Sequence, residues 1–130
     1  MSTIAALLLK TVSNTVGDTF NVERVDGNYQ KWSFLATDRP ITETQTAALK
    51  RTSPSSYTNS AIRRDKLVMR VPGTDADNIP YAKAFRAETS FEVPGWMTQA
   101  QSIDAIERHL DALRNTLIEG QMRDNDPMHG

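Results

Sequence analysis

The stretch Ile62-Arg63-Arg64-Asp65-Lys66-Leu67-Val68-Met69-Arg70-Val71 alternates with the period of an extended chain. Leu67, Met69 and Val71 fall on one face, and Arg64, Lys66, Val68 and Arg70 on the other. A strand of this kind has one side to bury and one side to leave wet. The reading then runs outward in both directions.

Downstream, residues 84–93 repeat the pattern. Phe85, Ala87, Thr89, Phe91 and Val93 oppose Arg86, Glu88, Ser90 and Glu92, and Pro94-Gly95 ends the strand. Residues 72–80, rich in Asp, Asn, Gly and Pro, read as a loop. Upstream, Pro54 and small polar residues make 53–60 a turn, and the Thr-rich segment 41–52 a strand. Asp38-Arg39-Pro40 is a break. Residues 18–25 and 29–35 form two further strands around Asp26-Gly27-Asn28, a strong hairpin signal because Asp and Gly tolerate positive φ. Trp32, Phe34, Phe85 and Phe91 sit at apolar-face positions and are expected in the core. Tyr29 and Tyr81 are the candidates for exposed contacts. The opening run 3–12 is ambiguous between helix and strand.

After Pro94 the period changes. Thr98 and Gln101 have the spacing of a capping box, and Ile103, Ile106, Leu110, Leu113 and Leu117 recur at three- and four-residue steps. Gly120 is the expected helix stop, followed by a loosely held polar tail, 121–130. Strands first and helix last make an α+β chain. We expect one domain, with N-terminal strands in 1–37, main strands in 41–94, a loop at 72–81 and a helical region in 96–120.

Composition narrows the function. The chain has 130 residues, a formal net charge of −1 and no cysteine, so disulfides and thiolate metal sites are excluded. A nucleic-acid site has to come from local clustering of Lys and Arg. The apolar run Ile4–Leu9 is too short to span a bilayer and lacks a basic leader, which predicts a soluble, intracellular chain without a membrane partner. His109 and His129 have no partner at metal-ligand spacing. No nucleophile-elbow, Walker or dinucleotide glycine pattern occurs, and Glu88 and Glu92 read as surface charges. No enzyme activity, cofactor, metal or small-molecule substrate is expected.

One amphipathic helix cannot cover a five- or six-stranded sheet. The simplest remedy is a second copy whose helix lies over the neighbour's sheet, packing through Ile103, Ile106, Leu110, Leu113 and Leu117. Open sheet edges also invite a second copy. The polar face carries Arg64, Lys66, Arg70 and Arg86, with Thr46, Lys50 and Thr52 sharing a face on the preceding strand. On pattern alone, an ordinary solvated face accounts for these charges. The functional alternative is a platform for phosphates and unstacked bases.

Three pieces resemble the coat proteins of the leviviruses, the small single-stranded RNA bacteriophages. They are the hairpin Ala48-Leu-Lys-Arg-Thr52 … Lys66-Leu-Val-Met-Arg-Val-Pro72, the loop ending Asn78-Ile-Pro-Tyr-Ala-Lys-Ala-Phe85, and residues 86–94 followed by the Thr98 helix. The resemblance covers nearly the whole chain and is one of pattern rather than of a signature motif. It implies an N-terminal β-hairpin, an antiparallel five-stranded sheet and C-terminal α-helical structure. Two subunits would intertwine into a homodimer with one continuous sheet, helices outside and sheet inside. Dimers would assemble into an icosahedral T=3 capsid, a virion formed in the bacterial host cytoplasm.

The resemblance also implies that the inner sheet face binds a stem-loop of the RNA genome, marking it for packaging and repressing replicase translation. Carried over by position, Thr46 and Lys50 fall where the fourth strand meets RNA. Arg64, Lys66 and Val68 fall on the fifth strand, and Arg86 and Glu88 on the sixth. Ala48 and Val68 stand where that family commonly has polar or basic residues. The loop residues Pro72, Gly73, Asn78, Pro80 and Tyr81 would make inter-subunit contacts near symmetry axes. Two other readings compete: a dimeric RNA- or ligand-binding module that never forms a shell, and, with least support, a small hydrolase.

Overall fold

A computed structural model describes residues 5–11, 14–56, 58–125 and 127. Thr3, Ile4 and Val12 of the ambiguous opening run, and His129, lie outside the described residues. Six strands precede two helices: β1 (Leu7–Leu9), β2 (Asp18–Asp26), β3 (Tyr29–Phe34), β4 (Gln45–Thr52), β5 (Ile62–Val71), β6 (Phe85–Pro94), α1 (Gln99–Arg114) and α2 (Thr116–Arg123). The strands lie side by side in sequence order, so each neighbour in the sheet is the next segment of chain. Two compact units result. One comprises Met1–Pro54 and Arg63–Glu92, the other Ser55–Ile62 and Val93–Gly130.

In the sheet unit, the hairpin signal at Asp26-Gly27-Asn28 gives a two-residue turn. Asp26 pairs with Tyr29, and Gly27 takes φ +55°, a region open to glycine at little cost. The opening run resolves toward strand: Leu7 pairs with Phe20 and Leu9 with Asp18. The apolar face holds a small core of Phe20, Trp32 and Ala47, with Leu7, Leu9, Phe34, Leu49 and Met69 packed against it. Trp32 reaches back to the N-terminal segment, donating from its indole Nε1 to the Ala5 carbonyl at 2.8 Å. The Phe20 and Phe34 rings meet at 5.4 Å.

That core covers only part of the face. Register puts Val22 opposite Trp32, Val25 opposite Gln30 and Leu67 opposite Leu49, all on the apolar side, yet Val22, Val25 and Leu67 are exposed. Phe85, expected in the core, is 65% exposed. Alternation assigned it to the apolar side of β6, but alternation does not say whether anything covers that side.

The segment 41–52 is not one strand. Ile41–Glu43 forms a 3-10 turn after Pro40, and β4 begins only at Gln45.

In the helical unit, the capping box forms as expected. Thr98 Oγ1 accepts from the Gln101 amide at 3.2 Å, and Gln101 Oε1 accepts from the Thr98 amide at 2.9 Å. Gly120 does not stop the helix. The break comes at Asn115, whose extended backbone (φ −64°, ψ 133°) ends α1. Its Oδ1 accepts from the Leu117 amide at 3.0 Å and caps α2. Asn competes for local backbone partners, which makes it a poor helix interior and a good cap. The apolar stripe is therefore divided, with Ile103, Ile106, Leu110 and Leu113 on α1 and Leu117 on α2. Residues 121–123, expected in the tail, are the last turn of α2. Neither helix contains a buried residue.

Gly95 donates to the Ala61 carbonyl at 2.8 Å, and a Cβ there would lie 1.9 Å from the Thr58 carbonyl oxygen. Only glycine permits that approach.

Candidate nucleic-acid interface

The β3–β4–β5 ladders align the polar face into rows that cross the strands. One row runs Asp26–Tyr29–Lys50–Lys66, the next Lys31–Ala48–Val68, and a third Asn21–Ser33–Thr46–Arg70. Thr52 stands opposite Arg64. Thr46, Lys50, Arg64, Lys66 and Val68 thus share one face, as the sequence pattern predicts. β6 joins it through ion pairs, Lys66 to Glu88 at 2.9 Å, Arg64 to Glu92 at 3.1 Å and Arg86 to Glu88 at 2.9 Å. All seven predicted positions are brought together.

The charges on this face are not equivalent. Lys66, Arg64 and Arg86 each have a carboxylate. The hydrogen bond from Lys66, helped by Arg86, holds the Glu88 carboxyl below its usual range despite some desolvation. Among the described residues, Lys50 and Arg70 make no ion pair. Lys50 and Arg70 are also exposed, so they are the cations most available to an incoming anion. Near the hairpin tip, the Arg24 guanidinium lies 5.3 Å from the Tyr29 ring centre and binds Asp26 at 2.9 Å. Tyr29 therefore presents one ring face already occupied by a cation.

Beside these rows lies a groove of about 840 Å³, lined by Thr19, Asn21, Glu23, Lys31, Ser33, Leu35, Ile41, Thr44 and Thr46 among others. Sequence reasoning missed it. Its walls come from β2, β3, the start of β4 and the 35–44 connection, whose conformation no periodicity encodes.

Sequence reasoning also missed Glu43. Its carboxylate binds the Arg39 guanidinium in a two-bond fork. It also accepts from the Thr74 amide at 3.1 Å and the Thr74 hydroxyl at 2.9 Å. Arg39 holds the Glu43 carboxyl at about 2, with Thr74 contributing against a partly opposing desolvation. This ties the loop after β5 to the turn before β4.

The loop is itself a small hairpin. Thr74 bridges Pro80, Tyr81 donates to the Gly73 carbonyl at 3.0 Å, and Asp75 Oδ1 accepts from Asp77 and Ile79 at 2.8 and 3.0 Å. Asn78 takes φ +61° at its tip. Ile79 and Tyr81 project into solvent, 58% and 62% exposed.

No family model matches the sequence, and no curated protein matches it either. Solved structures do match, along almost the full chain. A virus-like particle of bacteriophage ESE058 superimposes with a TM-score of 0.79 at 15% identity, covering 98% of this chain and 100% of that one. A virus-like particle of Beihai levi-like virus 21 gives 0.75 at 16% identity, covering 99% and 100%. An unassembled virus coat protein dimer, described as a bacteriophage RNA-binding dimer, gives 0.65 at 11% identity, covering 96% and 97%. The chain has the RNA-phage coat-protein fold. An N-terminal hairpin feeds an antiparallel sheet, and C-terminal helices follow; here six strands lie in one continuous sheet, where five plus a hairpin were expected.

Proposed function

We propose that this chain is the capsid subunit of a small RNA bacteriophage, a component of the virion that dimerises, assembles into an icosahedral shell and binds single-stranded genomic RNA on the polar sheet face. One observation carries the reading. The sheet is apolar and incompletely covered on one side, and polar with aligned cations on the other. A second copy is the cover that the exposed Val22, Val25, Leu67 and Phe85 call for. The exposed Ile103, Leu110, Leu113 and Leu117, with half-buried Ile106, are the matching surface on the helices. Fully burying such a side chain stabilises by roughly 1.5–3 kcal/mol, so a few of them suffice to hold a dimer.

The full-length likeness to particle-forming subunits supports assembly into a shell. In that assembly, Pro72, Gly73, Asn78, Pro80 and Tyr81 form the loop that meets neighbouring subunits around symmetry axes. Its internal hydrogen bonds and its tie to Glu43 suit a preformed contact. On the polar face, Lys50 is the leading phosphate ligand. Thr46, Arg64, Lys66, Val68, Arg86 and Glu88 surround it, and repression of replicase translation would follow from holding a stem-loop there.

Electron microscopy of the chain expressed alone tests this directly. Closed particles containing host RNA are expected. Uniform small dimers under all salt conditions would overturn the shell and favour a dimeric binding module.

A further inference from the structure

The polar row Asn21–Ser33–Thr46–Arg70 crosses four strands in register. At ordinary strand spacing it spans about 14 Å, the length of roughly two nucleotides of single strand. Arg70 makes no ion pair among the described residues, and the side chains of Asn21, Ser33 and Thr46 make no hydrogen bond there. Three of the four residues line the large groove. Beside them Leu35 and Ile41 present exposed aliphatic surface, and the Thr44 hydroxyl is turned to the Ile41 carbonyl at 2.6 Å, leaving its oxygen as an acceptor.

We infer that this row is a nucleotide subsite. Arg70 holds a phosphate, an unstacked base lies over Ser33 and Thr46 against Leu35 and Ile41, and the Asn21 amide meets the base edge. The chemistry fits that ligand better than a bare anion. Among the described residues that line the groove, the only cation, Lys31, is tied to Glu23 at 3.3 Å. Hydroxyls and an amide offer both donors and acceptors, which a base edge uses and a phosphate alone does not. Thr46 belongs both to this row and to the basic face, so one strand of RNA can run from Lys50 into the groove. The subsite rests on the RNA-binding reading above and adds base recognition to it.

The test uses the purified full chain and three labelled 12-mers of equal charge: oligo(A), oligo(U) and an abasic strand. Base contacts of this kind are worth about tenfold or more in affinity. Wild-type protein is expected to bind at least one base-bearing strand about tenfold tighter than the abasic one. Asn21→Ala and Ser33→Ala should erase that preference and leave abasic binding unchanged, since strand pairing uses only the backbone. Arg70→Ala should weaken all three strands alike and lower the salt slope. Retained binding of all three strands without preference would overturn the subsite and leave the RNA face standing. A preference that survives both Asn21→Ala and Ser33→Ala would also overturn it. Binding of none of the strands would defeat the RNA-binding reading and the subsite together.

Discussion

Lys50 and Lys66 stand directly opposite each other across the β4–β5 ladder. Like charges at such positions repel, and of the two only Lys66 pairs with a carboxylate among the described residues, Glu88 at 2.9 Å, which it shares with Arg86. The arrangement costs stability in the isolated chain, and a polyanion laid across both strands would relieve it.

Lys50→Ala should therefore weaken RNA binding and reduce the salt slope by about 0.7, the value of one single-strand phosphate contact. Its melting temperature should stay level or rise slightly. Glu88→Gln should act in the opposite direction on binding, because it frees Lys66 and Arg86. Filter binding across a salt series checks both; unchanged slopes would move the site off this face.

The helix stripe makes a prediction about assembly. Leu110→Asp should convert dimers to monomers in sedimentation, and Leu110→Ala should weaken the dimer roughly ten- to a hundredfold. Since no residue of α1 is fully buried and Leu110 is exposed, circular dichroism should still report folded helix. Wild-type sedimentation of both variants would remove the stripe from the interface.

Glu43 predicts an acid response. Its folded carboxyl sits at about 2, below the ordinary value of 4.5, so its contribution is complete above about 4.5 and lost as pH falls toward 2. Amide exchange at Thr74 and Ile79 should speed up over that interval, ahead of the strand amides. Glu43→Gln should show faster loop exchange already at neutral pH and less stable particles, with dimers intact. A variant that instead loses the dimer would contradict the separation of loop and dimer contacts.

Asn115 and Gly120 test the helix break. Asn115→Ala removes the cap on α2 and should cost about 1 kcal/mol. Gly120 lies inside α2 without positive φ, so Gly120→Ala should stabilise by roughly 0.5–1 kcal/mol. Destabilisation by Gly120→Ala would mean that the helix ends there after all. Thermal melts of the two variants give the comparison.

Much of the fold was legible because β-strands and amphipathic helices write their period into the chain. β5 has the predicted bounds, the Gly27 turn and the Thr98 cap form where their chemistry stands, and the seven polar-face positions share one face. Other features were not legible. Leu117 continued the stripe by spacing, yet Asn115 diverts the backbone before it. Pro40 and Thr44 enclose a 3-10 turn that a Thr-rich segment disguises. Glu43 looked like any surface carboxylate beside Arg39, since Thr74, its other partner, lies 31 residues away.

Alternation alone determined which side chains oppose which face of the sheet, because a strand places successive residues on opposite sides whatever surrounds it. Tertiary structure alone decided which of those residues become neighbours. Register brought Lys50 to Lys66 and lined Asn21, Ser33, Thr46 and Arg70 into one row. Such pairings depend on where four separate strands stop sliding past one another, and no local stretch of chain contains that information.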